Sequence, residues 1–198
     1  MMITWKHADT DFSAPLTFEQ KVDIFYHRHL GWQIHIADIL ANGGKDLREQ
    51  RDFPSIPDSG FVVLQALLSY FETAGLYHEG YTGDRGSRHH FKIGVRLVFP
   101  DIDAMPNQTN AVALLDRLYE GARCGLYHSS ITTPGIGLGL SDHSIAFNLA
   151  HKIISINPHR LPKAIEAYHR GYRDKLLDPN NAVLRQHFET RFDHDSTP

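Results

Sequence analysis

Between Phe61 and Phe71 the chain offers almost no polar side. Phe61, Val62, Val63, Leu64, Leu67, Leu68 and Phe71 are spread round most of a helical circumference. A helix that is apolar on most sides has to be enclosed by other helices or by a second copy of the chain. Asp58-Ser59-Gly60 precedes it as a capping sequence, so a helix over about 61–76 is expected. That requirement pushes the fold toward a helical bundle.

Other stretches supply the enclosing helices. Thr17-Phe-Glu-Gln20 is a capping-box pattern. After it Phe18, Val22, Phe25, His29, Trp32, Ile36 and Ile39 recur in steps of three and four, the period of one buried helical face, until Asn42-Gly43-Gly44 stops the run. Leu115, Leu118, Ala122 and Leu126 mark another amphipathic helix within Leu114–Ser130, with Gly125 loosening its last turn. Leu161, Ile165, Tyr168, Tyr172 and Leu176 mark a third. Asp178-Pro179 reads as a cap with proline at the first helical position, opening a final helix through Leu184, Phe188 and Phe192.

The segments between read differently. Residues 45–57, 79–90 and 100–108 are loops, and 92–99 is a short apolar piece of either type. From Ile136 the period drops to two. Residues 136–140, 145–149 and 152–156 suggest short strands, hence a small antiparallel sheet docked on the helices. The expected fold class is mainly α: a helical bundle with a small antiparallel β element after the Leu114–Ser130 helix. A loose N-terminal arm (1–16) precedes a single domain (17–192), and a tail (193–198) follows it.

Composition excludes more than it assigns. The net charge of −3 gives no global basic field, so a nucleic-acid partner needs a local patch. A single cysteine, Cys124, permits no intramolecular disulfide and suits a reducing compartment. No apolar run approaches the length of a membrane span, and no signal-peptide pattern opens the chain. A cytoplasmic protein with no membrane association is expected.

The candidate chemistry centres on Arg123 and His128, near a helix end. In an ideal helix five residues turn through roughly 500°, leaving the two side chains about 140° apart. They converge more easily if the helix stops before His128, or if two copies of the chain face each other. Such a cleft suits a phosphodiester. Histidine can move a proton at a ribose hydroxyl or a leaving oxygen, and arginine can hold the non-bridging oxygens. Arg85 and His90 share the spacing but fall in a glycine-rich stretch.

Arg85, Arg88, His89 and His90 form a dense basic cluster that could grip phosphates, with Tyr81 stacking a base. His27 and His29, two apart on a helix, cannot chelate together, and His35 with Asp38 supplies only two ligands. His143 and His151 read as turn residues. Neither a metal site nor a cofactor is expected.

The wording LYEGARCGLYHSS, late in an apolar helical protein, resembles the motif of the HEPN superfamily: an arginine, four to six residues, then a histidine. The following order is also similar to bacterial members: a short sheet, an INPHRL strand end at Ile156–Leu161, then YHRGYRDKLLDPNNAVLRQHFETRF. The resemblance implies a helical bundle and a homodimer with the motif at its interface. It also implies, for many members, metal-independent RNA cleavage in toxin–antitoxin or defence systems. Arg123 and His128 match the motif one for one, while the residue after the arginine is Cys124, where active members often carry a polar group.

The expectation is therefore a HEPN-like ribonuclease or RNA-binding effector. His128 would be general acid or base and Arg123 would stabilise the scissile phosphate. Tyr127, Ser129, Arg85 and Arg88 would contact substrate, and an antitoxin or other regulatory protein would be a further partner. The alternative is a non-catalytic dimeric interaction protein in which Arg123 is a structural anchor.

Overall fold

A computed structural model describes residues 15–47, 50–104, 108–148 and 151–196. The architecture is mainly helical, with two small sheets. No helix among the described residues is long and apolar enough to cross a membrane. The N-terminal arm, apart from residues 15 and 16, lies outside the described residues.

The helix expected to be central is central. It runs Gly60–Glu79 and is α3 of the bundle, in contact with α2 (His35–Asn42), α4 (Ser87–Val98) and α8 (Ala182–Ser196). Val63, Leu64, Leu67 and Phe71 are wholly enclosed, and each contributes about 2 kcal/mol from removing its side chain from water. Phe61 and Val62, in the first turn, stay partly exposed. Ser59 does not cap the helix; its hydroxyl donates to the Leu40 carbonyl (3.0 Å) and ties the start of α3 to α2. Gly80, at φ 64°, ends α3 in the left-handed conformation that glycine adopts without strain.

Residues 87–90, read as loop, are the first turn of α4. Ser87-Arg88-His89-His90 carries no apolar period, so nothing before Phe91 signals a helix. The helix is held by an unusually close crossing with α3. A Cβ on Gly75 would overlap the His90 carbonyl, and one on Gly94 would overlap the Phe71 carbonyl. The two backbones meet where both side chains are missing.

Two π-helical turns decide which residues face the core. The first, Leu30–Ile34, joins α1 (Phe18–His29) to α2. The capping box at Thr17 and Gln20 is formed, and Gly43 stops α2 at φ 72°. The wide turn displaces the stripe beyond it. Trp32 and Ile36, expected on the buried seam, are 47% and 48% exposed, whereas Ile34, Ala37 and Ala41 are buried. The second, Leu118–Cys124, joins α5 (Gln108–Arg117) to α6 (Gly125–Ser129). Leu114, Leu118, Ala122 and Leu126 are all buried although four-residue steps drift about 40° each in an α-helix. A turn holding more residues absorbs that drift.

The three-stranded sheet is mixed, not antiparallel. β3 (Ile136–Leu138) runs parallel to β5 (Ile153–Ile156), and β4 (Ile145–Asn148) pairs antiparallel with β5 on its other edge. β5 takes the centre because its alternate residues Ile154 and Ile156 reach the core. Beyond it, Asn157 locks the connection: its side-chain amide donates to the Ser141 carbonyl (2.7 Å) and its carbonyl oxygen accepts from the His159 amide (2.9 Å). A second, two-stranded sheet pairs β1 (Gly44–Lys45) with β2 (Asp52–Phe53), starting at the glycine helix stop and otherwise inside the segment read as loop.

α7 (Leu161–Leu177) buries the expected stripe apart from the half-buried Tyr168, and also buries His169. The final helix does not start at Pro179. The Asp178 carboxylate accepts from the Asn180 amide (2.9 Å), and α8 begins at Ala182. α8 also continues through the first four residues read as tail, to Ser196. There Asp193 joins Glu189 in ion pairs with the buried Lys21.

Candidate functional site

The motif arginine lies on the second π turn, one residue before its end. Its position follows from two glycines. A Cβ on Gly121 would overlap the Thr133 hydroxyl, and one on Gly125 would come 2.7 Å from the Ile131 carbonyl. Residues after α6 therefore fold back onto the helix, with the Thr133 amide donating to the Gly121 carbonyl (3.0 Å). Gly125 serves this close approach instead of loosening the helix end. Ser130, at φ 58°, makes the reversal.

That reversal leaves α6 as a short exposed knuckle. Tyr127 is 68% exposed, and His128 and Ser129 are exposed beside it. Arg123 is different. It donates to the Glu72 carboxylate of α3 at 2.9 Å, and its guanidinium lies over the Tyr127 ring, 5.2 Å from the centroid. About a fifth of its side-chain surface stays open. The His128 ring meets Tyr127 edge-on at 5.1 Å. Tyr127 thus touches both motif residues. Among the described residues no hydrogen bond, ion pair or ring contact joins Arg123 to His128 directly.

The basic cluster separates into two environments. Arg88 reaches the motif helix but is already engaged there. It donates to Glu120 at 2.5 Å, stands 3.6 Å from Asp116 and lies 5.4 Å from the Tyr119 ring centroid. Arg85 is exposed at the edge of a surface cleft of about 500 Å³, lined also by Glu79, Tyr81, Gly86, His89 and His90. The two arginines expected to bind substrate thus have different surroundings, Arg85 at the cleft edge and Arg88 engaged by Glu120 and Asp116. Tyr81 does not present a free ring; it packs on His90 with centroids 4.5 Å apart.

One grouping was not anticipated from the sequence. Glu79, His89 and His90 each place a ligand-type atom within 4.8 Å of the others. The His-His pair sat in what read as a loop, and Glu79 ends a different helix. The adjacent histidines with an acidic residue ten positions earlier were the available signal. The histidine pairs considered from sequence have structural partners instead. His35 donates to the Lys45 carbonyl (2.7 Å), and Asp38 accepts from Asn42 (2.6 Å).

A buried polar network lies away from the motif. His169, 1% exposed, bridges the Tyr70 hydroxyl (2.8 Å at Nδ1) and the Tyr26 carbonyl (3.0 Å at Nε2). A carbonyl can only accept, so Nε2 carries the proton and Nδ1 accepts from Tyr70. Burial, then the neighbouring His29, pushes the His169 pKa down to about 3. Burial likewise lowers His29 to about 4. His169 is a neutral core group, and His29 is half-buried beside it.

Compared with family models, curated proteins and solved structures, the chain has no match.

Proposed function

We propose that the Arg123–Tyr127–His128 face acts on RNA as a HEPN-like, metal-independent ribonuclease, with two copies of the chain pairing across α6. The observation that carries this reading is the division of labour on one knuckle. Arg123 is held by Glu72 and Tyr127, while the His128 imidazole is exposed and makes no hydrogen bond among the described residues. A fixed cation beside an accessible imidazole is what phosphodiester transfer needs.

In that reaction His128 takes the proton of a ribose 2′-hydroxyl. The 2′-oxygen then attacks phosphorus and the 5′-oxygen leaves with a proton from an acid, for which His128 of the second copy is the natural source. Arg123 donates to the non-bridging oxygens as their charge grows. Ser129 and Tyr127 flank the strand. Exposed Tyr127 and Ile131 (68% and 62%) give the pairing surface its apolar content. A regulatory protein covering this face would silence it.

The Arg123–Glu72 ion pair favours a second reading. A guanidinium already neutralised by a carboxylate also suits a structural anchor in a non-catalytic dimer seam. RNA incubated with pure protein in EDTA separates the two. The ribonuclease reading expects cleavage that falls at least about 100-fold in His128→Ala, the scale of a lost general acid–base group. The anchor reading expects no cleavage and a weaker dimer in Arg123→Ala.

A further inference from the structure

We propose that Glu79, His89 and His90 form a binding site for a divalent transition-metal ion of the zinc class. This is independent of the Arg123–His128 reading, because it involves none of the same side chains.

The donor set is the first argument. Two imidazoles and one carboxylate are the ligands that zinc and its neighbours prefer, whereas magnesium and calcium favour all-oxygen shells. Neighbouring residues on a helix point about 100° apart, so His89 and His90 converge only by using different ring nitrogens. They do so. His89 presents Nε2, 3.3 Å from Glu79 Oε2, and His90 presents Nδ1, 2.8 Å from the same oxygen. Ligands of a tetrahedral ion with bonds of about 2.1 Å stand roughly 3.4 Å apart. The first distance already fits, and the second needs a shift of about half an ångström.

The second argument is a buried nitrogen without a hydrogen bond. His90 is 3% exposed, and its Nδ1 makes no hydrogen bond. The Glu79 oxygen is close, but at an angle that forms no bond. Leaving such a nitrogen unpaired costs about 1–3 kcal/mol, and a metal ion on its lone pair removes the deficit.

The third argument is rigidity. Glu79 is the last residue of α3, directly before left-handed Gly80, and α4 starts at left-handed Gly86. The Gly75 crossing fixes the His90 backbone against α3. The His90 donor is therefore placed before any ion arrives, which lowers the ordering cost of binding. The surface cleft alongside leaves room for water as a fourth ligand.

The experiment uses the full chain, stripped with chelator and exchanged into chelator-free buffer. Zinc is titrated by calorimetry, and cobalt by the intense visible absorption of its four-coordinate form. The proposal expects one ion per chain, a four-coordinate cobalt spectrum, and a melting temperature raised by zinc. His89→Ala and Glu79→Gln, both at accessible positions, should weaken binding by at least about tenfold and abolish the zinc-dependent rise in melting temperature. Absence of stoichiometric binding overturns the proposal, and so does affinity unchanged in both variants, which would assign the ion to other histidines of the chain.

Discussion

Acidification should destabilise this protein well above the range in which its carboxylates titrate, and His169 is the main cause. Its neutral imidazole satisfies both partners, donating to Tyr26 and accepting from Tyr70. A proton on Nδ1 would turn that acceptor into a donor and place a charge in an enclosed site. The folded pKa is pushed down to about 3, against an ordinary value of 6.5. The unfolded chain therefore binds the proton first. The stabilising contribution is complete above pH 6.5 and is lost as pH falls from there toward 3, at about 1.4 kcal/mol per pH unit. By pH 5 the loss from His169 is about 2 kcal/mol. His29 acts in the same direction but contributes less than its shift implies, being only partly buried. Urea unfolding at pH 7 and pH 5 measures the sum. His169→Gln can donate and accept much as the neutral imidazole does, so it should keep most of the stability at pH 7 and remove about 2 kcal/mol of the pH dependence. An equal pH dependence in wild type and His169→Gln would refute the reasoning.

Three further outcomes follow from the packing. Gly94→Ala forces a methyl group onto the Phe71 carbonyl, which is backbone and cannot rotate away; it should cost about 3 kcal/mol in denaturant unfolding, the upper end for overpacking. Asn157→Ala strands the Ser141 carbonyl and the His159 amide, and a loss of about 2 kcal/mol is expected by thermal or chemical unfolding. Glu72→Gln releases the Arg123 guanidinium from its charged partner; with both side chains mostly covered it should lower stability by about 1–3 kcal/mol while reducing RNA cleavage toward the level of Arg123→Ala.

What the sequence disclosed was mostly local. Thr17 with Gln20 and Gly43 after Asn42 set helix ends through contacts within a few residues, and each acts as its pattern indicated. The stripe Leu115, Leu118, Ala122, Leu126 is buried as expected, as is the α7 stripe apart from the half-buried Tyr168. The misreadings arose where a distant partner or an unusual turn decided the outcome. The π turn at Leu30–Ile34 moved Trp32 and Ile36 out of the core, and no side-chain period announces such a turn. The parallel pairing of β3 with β5 depends on where the intervening hairpin lies.

The candidate site divides along the same line. Arg123 and His128 could be picked out because they are neighbours in sequence. Glu72, which holds Arg123, is 51 residues away, and Glu79 meets His89 and His90 only through the glycine crossing of α3 and α4. Arg88 was counted as a free phosphate contact because Asp116 and Glu120, its partners, belong to another helix.

The central claim is that the imidazole of His128 moves a proton during RNA cleavage beside the fixed charge of Arg123. The most direct measurement is single-turnover cleavage of an end-labelled RNA in EDTA, for wild type and His128→Ala, with the chemistry of the new ends identified. The account predicts 2′,3′-cyclic phosphate ends in wild type and their loss in His128→Ala. Equal rates in the two proteins, or no cleavage in either, would contradict it.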